Sequence, residues 1–308
     1  MAGALRIATF NLKDFFEASR PGDEALVAQK VANVAAEIRR SRADVVALQE
    51  VGSPALLDRL LSRDLGDLGF GAPVVGTEDR RGIRNAIASR VPILWSQVHT
   101  AAALPFPRLR EDDPDPFVGR IPLRRGVVHV RVDAGDLGEV DVITAHFKSN
   151  LPTSMKDAAG VDVPDASARG RGEAAVRSLV QRAAEALYVR GLVDDVLRAL
   201  PDHAICVLGD LNDTSDSMPV RIVRGAFEPP AGALFACADR LPLERRFSCF
   251  HGGGPTLIDH VLVSERLFRA VGDFAIQNEQ LRWHGPHVEG DVSLSVDSDH
   301  ALCVVELG

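Results

Sequence analysis

Residues 204–213, AICVLGDLND, decide the fold, because an apolar run passes directly into a group of polar residues. The segment 205–208 is short and continuously apolar, the pattern of a strand that is covered on both faces. Gly209 marks a point where the chain leaves the sheet or where another backbone comes close. Asp210 and Asn212 lie two residues apart on an extended chain and therefore point the same way. An ordinary turn would also explain these polar residues, so the other strand ends must decide.

The composition bounds the class of protein. The 308 residues are 46% hydrophobic and 25% charged, with a formal net charge of −8, which does not favour binding DNA by bulk electrostatics. A phosphate substrate stays compatible with this charge, because a cation bound among carboxylates reverses the local potential. We find no signal peptide pattern and no apolar run of roughly 18 residues, so we expect a cytoplasmic protein without membrane association. Four scattered cysteines predict free thiols.

Strands and helices recur around this segment along the whole chain. We predict strands over 5–12, 44–48, 205–208 and 257–264, a last strand near the C-terminus, helices over 24–41, 54–65 and 171–199, and a hairpin that turns at 133–138. The apolar side of the long helix is predicted to carry Val176, Leu179, Val180, Ala183, Leu187, Leu192 and Val196. Residues 104–120 and 149–170 read as irregular loops. Because no stretch has the composition of a linker, we expect one domain over 1–308.

Six of the predicted strands end in residues that bind metals or carry protons. They are Asn11 with Asp14, Glu50, His146 with Lys148, Asp210 with Asn212, Asp259 with His260, and Asp299 with His300. Side chains at strand ends can converge on one crevice, and carboxylates, amides and histidines are what metal-assisted hydrolysis of a phosphate ester requires. Oxygen ligands favour Mg²⁺, or Mn²⁺ or Ca²⁺, over zinc. His260 faces away from Asp259 on an extended chain, so we expect it to be structural.

The motifs that carry these residues resemble those of the endonuclease/exonuclease/phosphatase superfamily. They are FNL at 10–12, ALQEV at 47–51, HFKS at 146–149, GDLND at 209–213, IDHVLVS at 258–264 and SDH at 298–300. The superfamily includes pancreatic deoxyribonuclease, apurinic endonucleases, inositol polyphosphate 5-phosphatases and bacterial sphingomyelinases. HFKS, the DRRGI loop at 79–83 and RGRGEA are most similar to bacterial nucleases. The resemblance implies an α/β fold, a four-layer α/β/β/α sandwich of two packed mixed β-sheets flanked by helices.

The resemblance also implies roles for individual residues. Glu50 and Asp299 would bind the metal, with Asp14 as a further candidate, although relatives carry an acidic residue where this chain has Lys13. His300, held by Asp259, would activate or orient water, and Asp210 would align the nucleophile. The remaining catalytic candidates are Asn212 as a donor to phosphate and His146 as an acid or phosphate donor. The candidates for substrate contacts are Asn11, which would brace Glu50 or Asp210, and Asn85, Lys148, Arg81 and Arg169.

The function implied is that of a divalent-metal-dependent phosphodiesterase that hydrolyses nucleic acid, DNA or RNA, as a monomer by default. A phosphatase or phosphodiesterase for a phosphoinositide, a phospholipid or a small phosphorylated metabolite is the alternative, because one fold serves many substrates. We expect no exposed apolar loop that would insert into a membrane interface. A catalytically inactive scaffold is a third alternative, but it requires the loss of Glu50 or His300, and both are present.

Overall fold

The computed structural model describes residues 4–227, 232–251, 254–281 and 296–308. The strands are β1 (Leu5–Phe15), β2 (Val45–Val51), β3 (Val74–Val75), β4 (Arg84–Ser89), β5 (Ile93–His99), β6 (Val127–Asp133), β7 (Glu139–Thr144), β8 (Met155–Lys156), β9 (Asp162–Val163), β10 (Ala204–Asp210), β11 (Leu234–Ala236), β12 (Cys249–His251), β13 (Gly254–Thr256), β14 (Asp259–Ser264), β15 (Val271–Ile276) and β16 (Cys303–Leu307). The α-helices are α1 (Glu24–Ser41), α2 (Pro54–Arg59), α3 (Ala168–Ala199), α4 (Met218–Arg224) and α5 (Glu265–Arg269).

Two mixed six-stranded sheets form the centre of the molecule. The first has the order β15-β16-β1-β2-β4-β3 and the second the order β11-β14-β10-β7-β6-β5. Each contains one parallel pair, β1 with β2 and β10 with β7, among antiparallel neighbours. The parallel strands are central and β10 is buried along its whole length, as expected for a strand covered on both faces. The apolar run at 205–208 is therefore the middle of the second sheet.

Apolar side chains from both sheets meet in one core, and helices cover the outer faces. Ile7 of β1 and Val45 of β2 belong to the same buried cluster as Val142 of β7. Helix α1 packs on the first sheet through residues that include Ile38, and α3 packs on the second through residues that include Val189. This arrangement confirms the predicted four-layer sandwich.

Two predictions about the region before and within the long helix were wrong in detail. The predicted irregular loop at 149–170 contains the small hairpin β8–β9, and α3 begins at Ala168. Only part of the predicted apolar side of α3 faces the core: Val180, Leu192 and Val196 pack against buried clusters, whereas Val176 is 57% and Leu179 is 43% exposed. The buried side also includes polar residues, namely Ser178, Gln181, Arg182 and Glu185.

Apolar side chains are exposed on the β8–β9 hairpin, contrary to the expectation of no such loop. Met155 is 53% exposed, Val161 61% and Val163 41%. The four cysteines are buried and free, as predicted. Within the described part of the chain, no helix has the length and apolar character needed to cross a membrane.

Candidate active site

Four residues at the site adopt the left-handed backbone conformation without being glycine. They are Lys13 (φ 51°), Asp14 (φ 48°), Glu50 (φ 59°) and Asn212 (φ 53°). This conformation costs about 1–3 kcal/mol per residue and persists where the surrounding structure enforces it. The pairing of β1 with β2 shifts register between Asn11 and Phe15, where β1 carries the extra residues and bulges; β2 in turn shifts register against β4 between Leu48 and Val51. The bulge brings the amide N–H of Asp14 to Oε2 of Glu50 at 2.9 Å.

His300 and Asp259 form a hydrogen-bonded pair, as the SDH and IDH motifs implied. Nδ1 of His300 lies 2.8 Å from Oδ2 of Asp259. The other ring nitrogen, Nε2, lies 4.0 Å from Oδ2 of Asp210 and 4.0 Å from Oδ1 of Asp299. Because the bond to Asp259 fixes the orientation of the ring, Nε2 is directed between the two other carboxylates.

Asp210 is buried and is braced by two of its predicted neighbours. Nδ2 of Asn11 donates to Oδ2 at 3.0 Å, and the backbone N–H of Asn212 donates to Oδ1 at 2.9 Å. Nε2 of His146 lies 3.4 Å from Oδ2. Asn11 was predicted to brace either Glu50 or Asp210, and the structure shows the contact with Asp210. Glu50 instead accepts a hydrogen bond from the backbone N–H of Asp14.

The ends of β7 and β10 are joined tightly, and this fixes the wall of the site. Gly209 has a φ of 140°, and a Cβ there would lie 2.0 Å from the carbonyl oxygen of Ala145. Beyond it, the N–H of Phe147 donates to the carbonyl of Asp210 at 3.0 Å. Nδ2 of Asn212 donates to the carbonyl of Phe147 at 3.0 Å, so one N–H of this predicted phosphate donor is used within the protein.

Burial and neighbouring charges give the titratable groups different protonation states. Burial, together with the Asp259 carboxylate, raises the pKa of Asp210 to about 7. Burial lowers the pKa of an imidazole, but the charges of Asp259, Asp210 and Asp299 outweigh it and raise the pKa of His300 to about 10. Burial and nearby positive charges hold the pKa of His146 well below its ordinary value. Near neutral pH, His300 is an imidazolium and His146 a neutral imidazole.

Two sets of residues could hold a divalent cation. Asp210, Asp259 and His300 each offer a ligand atom within 4.8 Å of the others, but Oδ2 of Asp259 and Nδ1 of His300 already bond to each other, which leaves Oδ1 of Asp259 buried without a partner. Glu50 and Asp299 offer carboxylate oxygens that reach solvent, with side chains 14% and 45% exposed. Oxygen donors of this kind fit a hard cation, and binding there would leave the His300–Asp259 pair intact. The second set is therefore the better fit.

Positive side chains lie among these carboxylates. Nζ of Lys13 donates to Oδ2 of Asp299 at 2.8 Å. Nη2 of Arg81 pairs with the carboxylate of Asp14 and lies 3.8 Å from Oε2 of Glu50. The carboxylate of Asp14 thus faces a guanidinium, which weakens its candidacy as a metal ligand. Arg81, as a predicted substrate contact, does lie beside Glu50.

Three other predicted substrate contacts are directed elsewhere. Nδ2 of the buried Asn85 donates to the carbonyl of Gly126 at 2.9 Å. Nζ of Lys148 donates to two carbonyls of the loop that follows it, both at 2.8 Å. Arg169 is exposed at the start of α3 and pairs with Glu173. The structure does not bring these three side chains to Asp210, Asp259 and His300. Their positions near strand or loop ends in the sequence did not predict the directions of the side chains.

Arg125 is a positioning residue that the sequence reasoning missed. It is 7% exposed, and its Nη1 donates to the carbonyls of His146 and Phe147, both at 3.2 Å. Nε pairs with Oδ2 of Asp79 at 3.0 Å, which ties the DRRGI loop to the end of β7. The feature of the sequence that could have indicated Arg125 is its place in IPLRRG, at the start of an arm of the predicted hairpin.

Gln49 is a second positioning residue, and it lies beneath the site. Oγ1 of Thr9 donates to Oε1 of Gln49 at 3.1 Å, and Nε2 of Gln49 donates to Oγ1 of Thr144 at 3.0 Å. The three side chains are buried and connect β1 and β2 to β7 of the other sheet. The glutamine of ALQEV therefore joins the two sheets next to Glu50.

His260 and Asp213 also have defined contacts. The imidazole Nε2 of His260 lies 2.8 Å from the carbonyl of Asp213, and His260 is buried, which agrees with its predicted structural role. The carboxylate of Asp213 pairs with Nε of Arg182 on α3 at 3.1 Å. Asp213, which we did not assign to the site, thus anchors the GDLND segment to the helix behind it.

Comparison with known families and structures agrees with this geometry. The profile described as the Endonuclease/Exonuclease/phosphatase family matches residues 8–300. That range includes Asn11, Glu50 and His300. The comparison with curated proteins found no significant match.

Solved structures with the same fold are distant in sequence. Truncated TDP2 from Caenorhabditis elegans is 15% identical with a TM-score of 0.59, and the alignment covers 99% of this chain and 98% of that one. An AP endonuclease from Archaeoglobus fulgidus is 13% identical with a TM-score of 0.56, covering 98% and 99%. The human Nocturnin catalytic domain with bound sulfate is 12% identical with a TM-score of 0.59, covering 99% and 94%. At these identities the likeness concerns the fold.

Proposed function

The chain belongs to the endonuclease/exonuclease/phosphatase family, whose members are divalent-metal-dependent hydrolases of phosphoester bonds, and we propose that it is a phosphodiesterase acting on nucleic acid. The observation that carries the proposal is the placement of Asp210. Its buried carboxylate stands between His146 and His300 and is braced by Asn11. Such a group can hold and deprotonate a water that attacks phosphorus.

Glu50 and Asp299 would hold the divalent ion, which supplies charge neutralisation at a non-bridging phosphate oxygen. With a pKa of about 7, Asp210 suits a base that works near neutral pH. The His300 imidazolium, fixed by Asp259, would donate to a phosphate oxygen as negative charge develops there. The low pKa of His146 favours a neutral hydrogen-bond donor over an acid.

Nucleic acid is the substrate class that the neighbouring folds support best. The AP endonuclease among them acts on nucleic acid by its name. Arg81, 55% exposed beside Glu50, offers a guanidinium that suits contacts with a backbone phosphate. The substrate would approach over this loop, with Mg²⁺, or Mn²⁺ or Ca²⁺, as the ion.

The exposed hairpin favours a second candidate, a phospholipid or phosphoinositide substrate. Met155, Val161 and Val163 present apolar surface to solvent. The base of the loop is held to α3, where Oγ1 of Thr153 and Oγ of Ser178 lie 2.9 Å apart. Apolar side chains on a supported hairpin can enter a membrane interface, which would bring a headgroup to the site.

One experiment separates these candidates. The protein is incubated with supercoiled plasmid, RNA, bis-p-nitrophenyl phosphate and phosphatidylcholine vesicles, with Mg²⁺, Mn²⁺ or EDTA. We expect cleavage of nucleic acid with either metal and none with EDTA. Glu50→Gln and His300→Ala should each reduce turnover by about 100-fold or more, whereas His99→Gln, on β5, should retain it.

Cleavage of the small ester or the lipid alone, with plasmid and RNA intact, would replace the nucleic-acid proposal by the corresponding alternative. Unchanged turnover in both Glu50→Gln and His300→Ala would contradict the mechanism. Equal loss in His99→Gln would show that the effect is not specific to the site.

A further inference from the structure

Lys13 introduces a positive charge into the group of carboxylates that fits the metal. Its Nζ donates to Oδ2 of Asp299 at 2.8 Å, and its side chain is 17% exposed. The next residue, Asp14, donates its backbone N–H to Glu50. Lys13 therefore stands at the turn that connects the two proposed metal ligands.

The backbone holds Lys13 in this place from two sides. Its N–H donates to Oδ1 of Asn11 at 2.9 Å, and its carbonyl accepts from Nζ of Lys30, which is 6% exposed on α1. Lys13 also has a φ of 51°, a conformation that costs a lysine free energy and persists where the surrounding structure enforces it. The ammonium is thus directed at Asp299 by the bulge itself.

Positive side chains already face the carboxylates of this turn. Three carboxylates, those of Glu50, Asp14 and Asp299, face Lys13 and Arg81, and the charge of the buried Lys30 acts on all three. Sites for two divalent cations need a surplus of negative ligands. Because the Lys13 ammonium bonds to Oδ2 of Asp299, that carboxylate keeps one oxygen, Oδ1, for an ion.

We propose, on the basis of the proposed function, that Lys13 serves as a built-in cation of the metal site and restricts it to a single divalent ion. Lys13 occupies one oxygen of Asp299, so that the other oxygen and Glu50 remain for the metal. The charge that a second ion would supply to this side of the site is supplied by the ammonium.

Binding of Mn²⁺, followed by the loss of the free-ion signal in electron paramagnetic resonance, tests the proposal without an activity assay. We expect one Mn²⁺ per wild-type chain. Lys13→Gln should bind the first ion at least about tenfold more tightly, because a repelling charge is removed, and Lys13→Asp should bind two. Lys13→Arg should behave like wild type, and Lys156→Gln, on the exposed hairpin, is the control. Circular dichroism checks that each variant folds.

Two ions in the wild type would overturn the proposal even if no variant folded. One ion in the wild type with an unchanged affinity in Lys13→Gln and one ion in Lys13→Asp would overturn it as well. If neither the wild type nor Lys13→Asp bound Mn²⁺, the proposed metal-dependent function itself would fail, and that result differs from the other two.

Discussion

Asp210 and His300 show how one buried group of side chains separates a base from an acid. Both face the same space, with 4.0 Å between Oδ2 and Nε2, yet their pKa values move in ways that suit different tasks. Burial and the neighbouring Asp259 carboxylate raise the pKa of Asp210 to about 7. The three carboxylates around His300 outweigh the effect of burial and raise its pKa to about 10. Titratable groups whose pKa values are pushed apart in this way indicate the assignment of roles.

The pH dependence of turnover follows from these two groups. The reactive form carries an ionised Asp210 and a protonated His300, so kcat/KM should rise as the pH increases through about 7 and fall as it increases through about 10. Asp210→Asn should lower kcat/KM by about 100- to 10,000-fold and remove the acidic limb. Rates on bis-p-nitrophenyl phosphate with Mg²⁺ between about pH 5 and about 9.5, below the precipitation of magnesium hydroxide, measure the acidic limb and the onset of the alkaline fall.

Asp216→Asn is the matched control, because Asp216 is exposed in the loop after the GDLND segment. It should keep both limbs. An acidic limb that survives in Asp210→Asn, with the same midpoint, would assign that limb to another group.

Residue types at strand ends were predictable from the sequence, but side-chain directions were not. Asp210, Asp259 and His300 come together as their motifs implied. Lys148 follows one of these motifs equally closely, yet its ammonium folds back onto its own loop. The direction of a long flexible side chain depends on carbonyls that the irregular loop brings near it, and a sequence pattern does not encode their positions.

Among the secondary-structure elements, the pairing of β7 with β10 holds the GDLND segment in place beside the site. The two strands are parallel and then continue past the sheet with Phe147 bonded to Asp210. The sequence allowed two reasons for Gly209, an exit from the sheet or a close backbone approach. The structure shows the close approach, to the carbonyl of Ala145.

Gly209→Ala should therefore destabilise the protein severely. A Cβ at 2.0 Å from the Ala145 oxygen requires the strands to separate, and the φ of 140° is open only to glycine. We expect a loss of more than about 3 kcal/mol in the free energy of unfolding, measured by urea denaturation. Gly191→Ala, within α3 and with no atom within 4 Å of its added Cβ, should stabilise by about 0.5–1 kcal/mol. Similar values for the two variants would contradict the argument.

Helix α3 shows why an apolar pattern can predict a helix correctly and still misplace residues of its first half. Besides the apolar contacts of its second half, its buried face is used for hydrogen bonds to loops. Glu185 accepts the N–H of Lys148 at 2.7 Å, and Nε2 of Gln181 donates to the carbonyl of Pro122 at 2.8 Å. Loops that run behind the site have backbone groups to satisfy, so polar side chains lie inside while Val176 remains exposed. The spacing of apolar residues in the sequence does not show which backbone groups of nearby loops need hydrogen-bond partners on the helix.

At the scale of the molecule, the site is assembled from both sheets. Asn11 and Glu50 come from β1 and β2, whereas Asp210 and Asp259 come from β10 and β14. The sheets share one apolar core and are tied by Gln49 beneath the site. For this reason we propose that residues 1–308 form one domain. The sandwich could be predicted only through the family that the motifs resemble, whereas local patterns predicted single strands. FNL, ALQEV and GDLND lie at or near the ends of β1, β2 and β10, but IDHVLVS begins β14 and SDH precedes β16.

Metal binding should consequently stabilise the whole molecule. An ion bound only by the folded state adds about 2.7 kcal/mol at a concentration of 100 times Kd, which corresponds to a rise in Tm of about 4 °C for a chain of this size. A thermal melt with Mg²⁺, compared with NaCl of equal ionic strength, measures the rise. In Glu50→Gln the rise should fall to about 1 °C or less, because one of the two accessible carboxylates is gone. In Asp259→Asn the rise should persist, since Oδ2 of Asp259 bonds to His300 and the ion is proposed to lie at Glu50 and Asp299. The reverse pattern, with the rise kept in Glu50→Gln and lost in Asp259→Asn, would place the ion among Asp210, Asp259 and His300 and would exclude the assignment to Glu50 and Asp299.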